Sequence, residues 1–221
     1  MVGEDFMAVD EKRRQKKLAR KAAKRKKALA ARKPTYSGGG GYSAERMMAV
    51  AAASPIHECL APASLFDVGI GSVVVSRKMP KGEIGFGVFL VDAFCLGVKD
   101  SFFSVRPQDE YEGWIGRIRE KENLQPVDPA FAVKLIESAA AYARGLGLNP
   151  HRDYALDKKI FADIAPAACP REFTFGKDGK PRYVAGPYET EADSRRIIDI
   201  LTKKLGPGGF HYLVPLDLED E

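Results

Sequence analysis

Apolar and polar positions follow two different rhythms along this chain, and each rhythm predicts a different kind of element. Between residues 70 and 105 the apolar positions are nearly continuous, interrupted by glycines and single polar residues. Residues 70–78 hold Val73, Val74 and Val75. Residues 84–92 hold Phe86, Val88, Phe89, Leu90 and Val91, so both faces of that strand are apolar. A strand of this kind is covered on both sides. Pro80-Lys81-Gly82 turns the chain between the two, and residues 93–105 supply a third strand, bent near Gly97. Strands joined this closely form an antiparallel meander.

Elsewhere the rhythm is helical. Ser43 caps a short helix over 44–53, which Ser54-Pro55 ends. Residues 56–61, bracketed by Pro55 and Pro62, form a short extended piece at a sheet edge. A helix over 109–121 is weakened by Gly113 and Gly116 inside it. Asp128-Pro129 is a cap followed by a proline at the first helical position. Behind it Phe131, Leu135, Ala139, Tyr142 and Leu146 keep helical spacing up to Gly147. Asn149-Pro150 opens another helix, with Leu156, Ile160 and Ile164 inward. The turn 176–180, with Asp178-Gly179 at its centre, predicts a hairpin between 173–175 and 182–185. Thr190 and Asp193 make a capping box with Asp in place of Glu. Ile197, Ile198, Leu201 and Leu205 follow inward, Gly206-Pro207 stops the helix, and 210–214 is a last strand.

Together these elements predict an α+β fold: a meander-type antiparallel sheet packed with several helices, in a domain over 44–215. Its expected core is Val74, Phe86, Val88, Leu90, Leu135, Leu156, Ile160, Ile197, Leu201 and Tyr212. The longest apolar stretch, 84–98, carries Asp92 and three glycines, so no membrane-spanning helix is expected.

Charge changes the picture at the N-terminal end. Of the 35 basic residues, thirteen lie in residues 12–33, which contain no acid: Lys12, Arg13, Arg14, Lys16, Lys17, Arg20, Lys21, Lys24, Arg25, Lys26, Lys27, Arg32 and Lys33. Four of the 30 acids precede this run, so residues 34–221 hold 22 basic and 26 acidic residues, net −4, against +5 for the whole chain. Such asymmetry marks a basic arm meeting a polyanion.

The run favours helix by composition, with Asp10 as its cap and Pro34 as its stop. Like charges four apart, such as Arg13 with Lys17 and Lys21 with Arg25, oppose it until phosphates neutralise them. Residues 1–35 thus read as a basic arm, helical or disordered. Residues 36–43, with four successive glycines, read as a flexible linker, and 216–221 as an acidic tail. The basic run 12–33 carries only two leucines and no aromatic, too thin an apolar face for a membrane-surface helix. It leads into proline and a glycine tract rather than an apolar stretch, and so lacks the pattern of a secretory signal.

Lys and Arg at this density release counterions from a nucleic-acid backbone, giving strong, sequence-tolerant binding. The expected partner is RNA or a ribonucleoprotein, and the expected function is a non-catalytic RNA- or ribosome-associated protein. Two rivals remain open. One is an enzyme, hydrolase or nuclease-like, working at Asp92, His57 and Cys59. Asp92 is a carboxylate set among Leu90, Val91, Ala93 and Phe94, where an unpaired charge is costly to bury. His57 and Cys59, two apart on an extended segment, would point the same way, placing a base beside a thiol. The other rival is a protein-interaction module whose arm binds an acidic partner. Three cysteines, an odd number with no pair at ligand spacing, predict reduced thiols and a cytoplasmic location. No pattern calls for a cofactor or a metal.

Overall fold

The computed structural model describes residues 43–186 and 189–214. The basic arm, most of the linker and the acidic tail lie outside the described residues. What is described has the predicted α+β architecture. Ser43 accepts the Arg46 N–H and starts α1 (Ala44–Ala52), which buries Met47, Met48 and Ala51. Four strands then run as an antiparallel meander: β1 (Ile56–Pro62), β2 (Ile70–Lys78), β3 (Glu83–Asp92) and β4 (Gly97–Pro107). A single helical turn, α2 (Leu65–Val68), links β1 to β2. A fifth strand, β5 (Leu124–Pro126), pairs antiparallel with β1 and completes the order β4-β3-β2-β1-β5. The segment expected at an edge is therefore only half an edge, because β5 covers Leu60 to Pro62.

The valine run of β2 explains why the sheet is covered on both sides. Val74 faces the same way as Leu60, Phe86 and Val88, while Val73 and Val75 face the opposite way with Cys59, Phe89 and Val91. The first face is covered by α3 (Gln108–Glu122), which places Tyr111, Ile115 and the half-buried Trp114 and Ile118 on it. Fifteen residues make a helix about 22 Å long. Five strands about 4.8 Å apart span about 19 Å, so α3 reaches from β4 across the face to β5. At its far end Glu122 accepts the Ser72 N–H at 2.6 Å and the Ser72 hydroxyl at 3.1 Å.

The second face is covered by α4 (Pro129–Gly145), which buries Val133, Leu135, Ile136, Ala139 and Ala140. Asp128 caps it, accepting the Ala130 N–H at 2.8 Å. Glycines let this layer come close. A Cβ on Gly85 would lie 2.7 Å from the Ala51 methyl, and one on Gly97 (φ 65°) only 2.5 Å from the Ala139 carbonyl oxygen.

The last third departs from expectation in three places. Residues 149–164 form only α5 (Tyr154–Asp157) and a 3-10 turn over Lys158–Phe161. No helix starts at Pro150; the chain there runs beside β4, the His151 N–H bonding the Val98 carbonyl at 2.9 Å. Leu156 consequently faces outward and is 38% exposed, while Ile160 is fully buried. The turn at 176–180 forms, with Lys177 bridged to Lys180, but its flanks do not make a hairpin. The Gly176 N–H goes to the Ala93 carbonyl and the Arg182 N–H to the Phe94 carbonyl. β6 (Arg182–Val184) then pairs in parallel with β7 (His211–Leu213) across α6 (Glu191–Leu205). The Thr190–Asp193 capping box is present with both of its bonds. Tyr212 is 56% exposed and does not belong to the core. Nor is the core single: besides the two sheet faces, Cys95, Leu96, Leu146, Tyr183, Leu201 and Phe210 form a separate cluster under α6. Leu90 and Ile197 are only half-buried. No helix among the described residues is long and apolar enough to cross a membrane.

Candidate functional site

Asp92 ends β3 and is buried. Its Oδ1 accepts the Phe94 N–H at 3.0 Å and the Cys95 N–H at 2.8 Å, which closes the turn into β4. Burial pushes its carboxyl above the usual range, opposed by those N–H groups and by the Lys99 charge. The apolar context that singled Asp92 out thus belongs to a turn whose backbone needs an acceptor. A direct test follows. Asp92→Asn keeps Oδ1 as the acceptor and cannot ionise. The folded-state pKa lies above the unfolded one, so this group's contribution is fullest below the ordinary carboxylate range and is lost as pH rises through the raised value. Urea midpoints at about pH 4 and about pH 8 should show Asp92→Asn gaining on the wild type at the higher pH. Asp92→Ala should lose about 1–3 kcal/mol at both, because two buried N–H groups lose their partner. An Asn variant with the same offset at both pH values would mean that the carboxyl is not pushed up.

His57 and Cys59 do not share a face. β1 and β2 pair as Ile56 with Arg77 and then Glu58 with Ser76, so His57 is an extra residue in a β-bulge. The bulge breaks the alternation. His57 lies edge-on to Tyr111 on the α3 side, ring centroids 5.7 Å apart, whereas Cys59 is buried on the α4 side. Burial pushes the Cys59 thiol up to about 12, and the Cys95 thiol likewise. Neither is a thiolate near neutral pH, the form a nucleophile requires. Asp92 stands opposite Ile70 and Glu58 opposite Ser76, six positions apart along β2. That separation is roughly 20 Å. The three candidate residues are therefore not brought together. Among the described residues no group of three or more His, Cys, Asp or Glu is placed to hold a metal ion.

Two other arrangements were not singled out by the sequence pattern. Glu58 accepts the Tyr111 hydroxyl and an Arg119 N–H, each at 2.9 Å, fastening α3 to β1 on one flank. Burial raises the Tyr111 hydroxyl, which stays a donor. On the other flank of α3, beside β4, lies an open pocket of about 320 Å³ lined by Arg106, Glu110, Gly113, Trp114 and Arg117. Trp114 is held against Phe86 (centroids 5.0 Å apart) and Phe102 (6.0 Å). Arg106 Nη1 donates to Glu110 Oε2 at 2.8 Å. The Arg106 Nε–H and the Ser104 hydroxyl are buried with no hydrogen-bond partner among the described residues. A Cβ on Gly113 or Gly116 would meet nothing within 4 Å, so the glycines leave the helix surface bare there. The signal for this pocket was the run Gly113-Trp114-Ile115-Gly116-Arg117, whose glycines read only as a weakness of the helix.

No family model, no curated protein and no solved structure matches this chain.

Proposed function

We propose that this protein is a non-catalytic RNA-binding protein, free or within a ribonucleoprotein, whose affinity comes from the basic arm at residues 12–33. The observation that carries the reading is the partition of charge: thirteen basic residues and no acid in that run, against net −4 over residues 34–221. A linker over 36–43 tethers the arm to the domain at 44–215. Three buried, unpaired cysteines accord with the reducing cytoplasm. The separation of Asp92, His57 and Cys59 leaves the enzyme reading without the group of residues from which it started.

The test is a salt titration. Only some of the thirteen charges can face one strand, and about six contacts at about −0.7 each give a log–log slope of about −4 for single-stranded RNA. Full-length protein should show that slope with little dependence on sequence. Reversing Lys16, Lys17, Lys24 and Arg25 to Glu should weaken binding to every sequence alike and flatten the slope. Equal affinity of the reversed and native proteins would remove the arm from the mechanism. Tight binding to an acidic protein with none to RNA would favour the interaction module instead.

A further inference from the structure

The pocket beside α3 combines features that together select one kind of ligand. Arg106 and Arg117 put two permanent positive charges at its rim against one carboxylate, Glu110. Glu110 takes Nη1 of Arg106 and the unpartnered Nε–H is buried, so only the exposed Nη edge of this guanidinium can meet a ligand. Arg117 is exposed, on the same flank of the helix three residues after Trp114. Guanidinium groups of this kind fit phosphate oxygens. Between them Trp114 offers a flat ring, fixed by Phe86 and Phe102, with the bare helix surface of Gly113 next to it. An anion attached to a planar ring satisfies both parts. We infer that this pocket takes one nucleotide of a single-stranded RNA, its base against Trp114 and its phosphate between Arg106 and Arg117. The inference rests on the RNA-binding reading and adds a contact made by the folded domain. Stacking on an aromatic ring is tolerant of sequence because every base has a π-face.

The chain has a single tryptophan, so its emission reports on this pocket alone. Full-length protein is titrated with a uridine dodecamer and, separately, with uridine monophosphate. Anisotropy of a labelled dodecamer measures total binding, and Trp114 emission measures occupancy of the pocket. The dodecamer should quench Trp114 in step with binding, and monophosphate should quench only at far higher concentration. Arg117→Glu, at an exposed position where folding is not at risk, should abolish the quenching at RNA concentrations that saturate the native protein. Trp114→Phe should weaken dodecamer binding about five-fold or more at high salt, where stacking outweighs the screened charges. Binding of the dodecamer with unchanged emission, or quenching that survives Arg117→Glu, overturns the pocket inference and leaves the arm reading standing. Quenching by monophosphate but not by the dodecamer assigns the pocket to free nucleotides and overturns it also. No binding of the dodecamer by either measure removes both readings.

Discussion

Replacing Arg77 with leucine should destabilise the protein by about 3–5 kcal/mol, measured as a shift in urea unfolding at constant m-value. Arg77 sits near the end of β2 and is 2% exposed. Its Nε donates to the Ile160 carbonyl at 2.8 Å, Nη1 to the Ser54 carbonyl at 2.7 Å and Nη2 to the Phe161 carbonyl at 2.9 Å. Nη2 also reaches Asp163 Oδ1 at 2.9 Å. One guanidinium thereby joins the end of α1, the 3-10 turn after α5 and the sheet. Leucine would leave the Ser54 and Ile160 carbonyls without donors, while the Phe161 carbonyl keeps the Ile164 N–H, and each buried orphan costs about 1–3 kcal/mol. The ion pair contributes little of this, because the Asp163 side chain is 86% exposed and its charge is screened. Asp163→Asn should therefore be close to neutral. Arg77→Lys should fall between, since one ammonium cannot fork to all three carbonyls. A loss below about 1 kcal/mol for Arg77→Leu would mean that those carbonyls find other donors or water.

Leu201→Ala is expected to remove about 2–5 kcal/mol. Leu201 is the one fully buried apolar side chain of α6. It fills the space between that helix, Tyr183 of β6, the end of α4 and the β3–β4 turn at Cys95 and Leu96. The rest of α6 is amphipathic at its margin, with Ile197 and Ile198 only half-buried. Because this cluster is separate from the two sheet faces, the loss should appear first as faster amide exchange in α6, β6 and β7. A measured change below about 0.5 kcal/mol would place this face of the helix in solvent.

The sequence discloses those features that depend on neighbours along the chain. Val73 to Val75, Asp128-Pro129 and the Thr190–Asp193 box each carry their own local reason and appear where the pattern puts them. What stays hidden depends on distant partners. The bulge at His57 exists only in the pairing of β1 with β2, so alternation counted along β1 alone puts His57 and Cys59 on one side. The segment at Pro150 and the one at 173–185 share a feature. Their backbone groups bond to β4 and to the turn after β3, contacts that no local motif announces. Nothing local to Arg77 announces its burial, because the carbonyls that surround it come from residues more than eighty positions away as well as from Ser54. The pocket was illegible for the opposite reason. Glycines in a helix signal missing side chains, and only the tertiary packing of Trp114 against Phe86 turns that absence into a hollow.

The route of α3 across the sheet also sets an order of assembly. β1 to β4 are joined by short connections, so their ladders close small loops and can zip from one hairpin to the next. β5 is different: Leu60 pairs with Pro126, 66 residues on. That contact waits for the meander to form and for α3 to lie down on it, because loop closure over such a span is repaid only by the apolar face the helix buries. β5 is three residues long with two of them exposed, so its hold on the core rests on Leu124 alone. Of the five strands in this sheet it is expected to join last and let go first, and its release would return the Leu60 end of β1 to an open edge while the other four strands stay paired.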